Sequence, residues 1–250
     1  VHESCRNGGQ DLSAVHLQLE KVRVGFGLDF LDLLSAQGRV MLRTAPPGHS
    51  GDLRMADPAV MRALKGEAVT GVSVMTRTEL EQEGAGLAEQ AFLELEDTPK
   101  ARRSPRTEES RGMVMVAAVP VMDGTQVTGV LYGGILINRN HALVDRIHDD
   151  VYGGEMYQDR PVGSATIFLD DSRIATTVRL ENGNRALGTR VSKEVADHVL
   201  DNGLPWVGEA FVVRNWDLTA YEPIRDGFGE VIGMLYVGFL KQPYTDAARD

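Results

Sequence analysis

Residues Ala117 to Leu136, AAVPVMDGTQVTGVLYGGIL, return later in the chain as Ala220 to Leu240, AYEPIRDGFGEVIGMLYVGFL. With one gap at Gly229 the two stretches agree at ten of twenty positions. Pro120/Pro223, Asp123-Gly124/Asp226-Gly227, Gly129/Gly233, Leu131-Tyr132/Leu235-Tyr236 and Gly134/Gly238 recur in order. Each stretch reads as an antiparallel hairpin, an apolar run ending in Asp-Gly and followed by a second run rich in Val, Ile, Leu and Tyr. Turn chemistry alone does not produce half-identity over that length, so a module has been used twice, giving two similar domains in tandem.

The likeness extends upstream. Ala63 to Gly66 with Val69-Thr70-Gly71 precedes the first hairpin much as Val199 to Gly203 with Trp206-Val207-Gly208 precedes the second. Further back, Asp29 to Thr44 and Ala165 to Arg179 are both strand, tight polar turn, strand. The repeating unit is strand, strand, helix, strand, strand, strand. Ahead of it, Leu12, Val15, Leu19, Val22 and Phe26 are spaced three, four, three, four, a seam on one helix that suits a partner helix in a dimer or the chain's own sheet. Asp57 and Pro58 open a short helix to Lys65, Val69 to Arg77 is a strand, Glu79 to Glu94 a helix, and His141 to about Val151 another. The polar stretch from Asp97 to Arg111 reads as a mobile surface loop.

A chain of 250 residues accommodates two domains that each bury a core. Its net charge of −10 argues against nucleic acid and against anionic lipid. No run reaches the roughly 18 apolar residues of a membrane span. The chain opens at Val1, which suggests a piece of something longer, and its one cysteine, Cys5, excludes an internal disulfide and a cysteine-based zinc cage. No nucleophile elbow, phosphate-cradling glycine loop or metal-ligand spacing is evident; His141 and His148 share a helical face without a third ligand. Neither an enzyme nor a cofactor protein is indicated, and a binding role is the default.

Candidate binding residues are visible in both halves. Tyr132 with Gly134, and Tyr236 with Gly238, share a strand face; the glycine either makes room for a ligand beside the ring or lets a helix pack close. In the first half Ser73, Met75 and Arg77 share one face, and Met113 and Met115 another; methionines adapt to ligands but also fill cores. In the second half Arg173, Arg185, Arg190, Trp206, Trp216 and Tyr221 gather around the strands. A guanidinium aimed into an apolar cavity is the natural partner of a carboxylate, although an arginine near strands is more often a surface or salt-bridged residue.

The run from Thr166 to Leu240, with TIFLDDSRIATTVRLENGNRALGTRVSKEV, PWVGEAFVV and WDLTAYEPIRDGFGEVIGMLYVGFL, resembles the membrane-proximal half of tandem Cache sensor domains. The earlier GMVMVAAVPV and VTGVLYGGILINRNHALVDRI resemble the distal half of the fusion type that joins a Cache_3 to a Cache_2 unit. The resemblance implies an α/β (α+β) fold: two PAS-like units, each a mainly antiparallel sheet with flanking helices, stacked along a long N-terminal helix. Residues 1–28 would form that helix, 29–160 the distal unit and 161–250 the proximal one. It further implies the periplasmic, ligand-sensing part of a bacterial inner-membrane receptor, a homodimer in full length whose membrane segments are absent from this chain. A methyl-accepting chemotaxis protein is preferred over a histidine kinase or a spacer that contacts a solute-binding protein. The amino-acid signature of the commoner double Cache class does not map cleanly, which leaves a small carboxylate such as acetate as the expected ligand.

Overall fold

The computed structural model describes residues 12–45, 50–157, 160–213 and 215–240. Two compact units emerge, each discontinuous in sequence. Unit 1 comprises residues 1–90, 111–136 and 226–229, and unit 2 residues 91–110, 137–225 and 230–250. Cys5 and residues 1–11 of the expected N-terminal helix lie outside the described residues.

In unit 1, helix α1 (Ser13–Gly25) precedes strands β1 (Phe30–Ser35) and β2 (Val40–Arg43), helix α2 (Pro58–Ala63), β3 (Val69–Met75), α3 (Arg77–Glu83), β4 (Gly112–Asp123) and β5 (Gln126–Leu136). Unit 2 repeats the plan. Helix α4 (His141–Tyr152) precedes β6 (Gly163–Leu169), β7 (Ser172–Thr176), α5 (Lys193–Ala196) running into a π-helical turn at Asp197–Asp201, β8 (Trp206–Val212), β9 (Asn215–Arg225) and β10 (Val231–Leu240). Both five-stranded sheets are antiparallel throughout and have the same permuted order, β2-β1-β5-β4-β3 and β7-β6-β10-β9-β8. The result is a mixed α/β fold built on antiparallel sheets.

The likeness reaches the irregularities. Register slips between Leu33 and Leu34 in β1 and between Ile167 and Phe168 in β6, positions that face Leu131 and Leu235 of the repeated hairpins. It slips again between Val121 and Met122 in β4 and between Ile224 and Arg225 in β9, which are aligned residues. Each extra residue reverses the side-chain parity beyond it, so equal bulges keep equal faces pointing inward. The hairpins differ only at the tip, where Gly124 at φ 59° turns a two-residue loop and Gly229 at φ 88° helps to turn a longer one.

Several elements depart from the sequence reading. The helix expected over Glu79–Glu94 is broken, since α3 stops at Gly84 and a short helical turn restarts at Leu87 after Gly86 at φ 87°. Arg77 is not on β3; it opens α3 and pairs with Glu81 at the surface. The seam on α1 is only half used: Val15 and Leu19 pack on Leu31, Leu33 and Leu42, while Phe26 is 77% exposed. The stretch 97–111 is pinned rather than loose, because Arg102 bonds Asp197 and Asp201, and Arg106 bonds Glu109 and Asp170.

Candidate functional site

Strand alternation and pairing register decide which side chains share a face. In unit 2, Arg173 stands opposite Phe168, Phe168 opposite Met234, Thr166 opposite Tyr236, Tyr236 opposite Tyr221 and Tyr221 opposite Trp206. Two and four residues before Tyr221 on β9, Thr219 and Asp217 point the same way. One face of the sheet therefore carries Arg173, Trp206, Asp217, Thr219, Tyr221 and Tyr236. Val195, Ala196 and Val199, from α5 and the π-helical turn, close an apolar cluster over that face together with Phe168, Ala210, Val212 and Met234.

Arg173 is the outlier in this setting. Its side chain is completely buried. Nη1 donates to Thr189 Oγ1 at 2.9 Å, whereas Nε and Nη2 have no partner among the described residues. Its guanidinium lies 4.9 Å from the centre of the Phe168 ring, a cation–π contact that offsets part of the cost of burying the charge. Burial nevertheless draws its pKa down, against the opposing fields of Tyr221, Tyr236 and Asp217. An unpaired buried ion costs several kcal/mol, so this group is poised for an anionic partner.

Its neighbours are unsatisfied as well. Tyr221 Oη, Trp206 Nε1 and Asp217 Oδ1 are buried without hydrogen-bond partners among the described residues. Burial raises the Asp217 pKa from 3.8 to about 6, with Arg173 pulling it back, and the same desolvation lifts the phenols of Tyr221 and Tyr236. Tyr221 and Tyr236 stack at 4.9 Å in a tilted pair, Phe168 lies 6.2 Å from Tyr221, and His198 meets the edge of Trp206 at 5.6 Å. Orphaned polar groups are rare in folded chains. Several on one face, donors around Arg173 and an acceptor at Asp217, describe a site whose hydrogen-bonding capacity is unspent.

The remaining candidates of unit 2 are elsewhere. Arg185 is held by both carboxylate oxygens of Asp145 at 2.7 Å, and Arg190 by Asp171 at 2.5 Å, so these two guanidiniums are occupied by counter-ions. Trp216 faces the opposite side of the sheet, opposite Phe211, with Lys100 Nζ 4.0 Å above its ring. At Gly238 the space of the missing side chain is filled by Tyr236. A Cβ there would collide with the Tyr236 hydroxyl, because that ring lies along its own strand.

Unit 1 uses equivalent positions differently. Where unit 2 has Arg173, Trp206, Asp217 and Tyr221, the matching register positions hold Val40, Val69, Val114 and Ala118. Tyr132 and Ser73 do share its inner face, but both donate to Asp57 Oδ2, at 2.7 and 3.0 Å, and the other Asp57 oxygen caps α2 at Ala59 N. Met75 is buried on that face, opposite Gly112, and Met115 points to the other, opposite Ile135. The buried cations of unit 1 are spent. Arg43 engages Asp52 and Glu83 and lies 3.5 Å from Asp32, while Arg54 bonds Glu79 and Glu83. Among the described residues the orphans here are Arg54 Nε and both Asp32 oxygens, and burial lifts the Asp32 pKa from 3.8 to about 7.

Asp217, Thr189 and Phe168 were absent from the sequence-derived candidates. A signal existed for Asp217, since period-two alternation puts it in phase with Thr219 and Tyr221, a carboxylate at a core-facing strand position.

Residues 135–250 match the single Cache domain 3 family model. The matched stretch contains every residue of the Arg173 constellation. Comparison with curated proteins returns no match. Among solved structures, the chain is similar to a domain of a sensory box/GGDEF family protein from Vibrio parahaemolyticus, with a TM-score of 0.48, 10% identity and coverage of 97% of this chain and 84% of that one. The sensory domain of the Campylobacter jejuni chemoreceptor Tlp3 with isoleucine bound gives a TM-score of 0.47 and 12% identity over 98% of this chain and 79% of that one. The sensor domain of the Vibrio cholerae histidine kinase DctB gives 0.44 and 11% over 92% and 79%. Among the described residues no helix is long and apolar enough to cross a membrane.

Proposed function

We propose that the chain is the extracytoplasmic, periplasmic sensor region of a bacterial transmembrane receptor, with a methyl-accepting chemotaxis protein preferred over a histidine kinase, and that unit 2 binds a small carboxylate such as acetate. The observation that carries the reading is Arg173, completely buried with Nε and Nη2 unpartnered. Two N–H groups of a planar fork match the two oxygens of a carboxylate. Tyr221 Oη and Trp206 Nε1 supply further donors on the same face.

Side chains close over this face, so a ligand enters by displacing the covering segment Lys193–Asp201. Tyr236 belongs to β10, and a ligand that binds one placement of β10 better than another shifts the balance between them. In a full-length homodimer that strand would pass the shift towards the membrane. Isothermal titration with acetate, propionate, pyruvate and the common amino acids tests the reading. Saturable heat with a carboxylate, lost in Arg173→Met, is expected; heat only with uncharged ligands, or heat unchanged in the variant, overturns it.

A second reading is favoured by Asp217. Its orphaned Oδ1 would accept a hydrogen bond from a ligand carrying an amino or hydroxyl group beside its carboxylate. Alanine and lactate set against propionate in the same titration separate the two.

A further inference from the structure

A second group of cations in unit 2 lies away from the Arg173 face and takes no part in the proposed sensing. An open groove of about 640 Å³ is lined by Arg139, Arg179, Arg185 and His141, with Glu94 as the acid among its lining residues. Three guanidinium groups converge here in a chain of net charge −10. They come from separate segments: Arg139 and His141 from the start of α4, Arg179 and Arg185 from the two sides of a bridged turn after β7.

Their hydrogen bonds leave capacity over. Arg185 is neutralised by Asp145, but Arg139 gives one bond, from Nη2 to Phe92 O at 2.9 Å, and Arg179 one, from Nη1 to Gly183 O at 2.8 Å. Among the described residues neither has a carboxylate partner. His141 Nδ1 is buried without any partner. Arg139 has φ 57°, a left-handed conformation that costs a non-glycine residue about 1 kcal/mol, and its N–H is fixed to Ile174 O at 2.8 Å. His141 is the first residue of the 12-residue α4, whose N-terminus carries partial positive charge. Two guanidinium groups with N–H groups to spare, lining one open space, are the donor set of an oxyanion site.

We propose that this groove is a second binding site, for a small doubly charged oxyanion, with Arg139 and Arg179 as counter-charges and His141 on its wall. Inorganic phosphate and a short dicarboxylate share this chemistry and are told apart by shape, tetrahedral against extended. The site is independent of Arg173, so either reading can fail without the other.

The test follows the ring resonances of His141 by NMR while phosphate, succinate or acetate is added at ionic strength held constant with sodium chloride. Burial and the guanidinium groups of Arg185, Arg139 and Arg179 hold the His141 pKa low, with Asp145 opposing. A bound dianion offsets them, so the His141 midpoint should move up with saturable phosphate or succinate, and whichever acts at lower concentration identifies the source. Acetate should do far less. Arg139→Ala and Arg179→Ala should each weaken binding about tenfold, the loss of one charge-assisted hydrogen bond. Both residues lie at the surface, and Arg173→Met should leave this titration unchanged. Resonances that stay still in phosphate and succinate, or that move as much with acetate or in the double variant, overturn the proposal.

Discussion

The Tyr236 ring lies over Gly238: its hydroxyl stands where a Cβ at 238 would be and meets Ser164 Oγ at 3.0 Å. The glycine is thus a receptacle for a tyrosine two residues back on the same strand. Through that contact the backbone of β10 sets the position of the ring that stacks on Tyr221 beside Arg173.

Gly238→Ala should therefore swing Tyr236 into a filled core. Overpacking of this kind costs about 1–3 kcal/mol. Thermal unfolding should show that loss, and carboxylate affinity should fall by more than stability alone explains. An alanine variant with wild-type Tm and affinity would contradict the geometry.

Arg173→Met should separate stability from binding. Replacing an unpaired buried ion by an apolar side chain of similar length is neutral or stabilising in the ligand-free chain. Binding of a carboxylate should weaken by about 2 kcal/mol or more, roughly thirtyfold, since a desolvated charge pair is lost. Denaturant titration without ligand and calorimetry with it read the two effects. Lowered stability with unchanged affinity would mean that Arg173 is a structural group.

Asp217 gives the binding a pH dependence whose sign depends on the ligand. Its pKa of about 6 means that it ionises between weakly acid and neutral pH. A simple monocarboxylate is repelled by the ionised form, so its affinity should rise as pH falls through about 6. An α-amino acid, whose ammonium needs that carboxylate, should bind more weakly over the same fall. Asp217→Asn should flatten both profiles, and a slope that survives the substitution would assign it to another group.

Asp32 should make unit 1 less stable as the pH rises from acid to neutral. Its folded pKa is raised, from 3.8 to about 7, so the native chain holds a proton that the unfolded chain has already released. Across that window the native state binds more protons, and its stability falls with rising pH, levelling off above about 7. Arg43 and Arg54 limit the rise and Asp52 adds to it. The difference in unfolding free energy between the wild type and Asp32→Asn, followed from pH 4 to pH 8, should shift steadily in favour of the variant (the range spans the two pKa values). A difference independent of pH would rule this out.

Asp57→Ala should damage unit 1 and leave ligand binding in unit 2 intact. It removes the cap of α2 and strands the hydroxyls of Tyr132 and Ser73. A lost cap costs about 1 kcal/mol and an orphaned buried donor about 1–3. A loss of carboxylate binding in a chain that remains folded would point to unit 1 as the sensing half.

The repeated hairpin announced more than a duplication. Pro120/Pro223, Asp123-Gly124/Asp226-Gly227 and Tyr132/Tyr236 implied a shared antiparallel meander, and both sheets have one strand order with bulges at matching places. Local pattern suffices there because alternation, turn residues and apolar runs act between neighbours along the chain. Which arginine stands unpaired was not legible. Arg185 meets Asp145, forty positions away, and Arg190 meets Asp171, nineteen away, while Arg173 meets no acid within bonding distance among the described residues. Asp217 and Trp216 are adjacent in sequence, yet register sends one to the buried face and the other beneath Lys100. The sequence by itself determined the repeated hairpins, their turns and the alternation of their faces, because these follow from short-range backbone chemistry. Only the tertiary structure decided which charge lacks a counter-ion, because that depends on which distant side chains long-range pairing brings within a few ångströms.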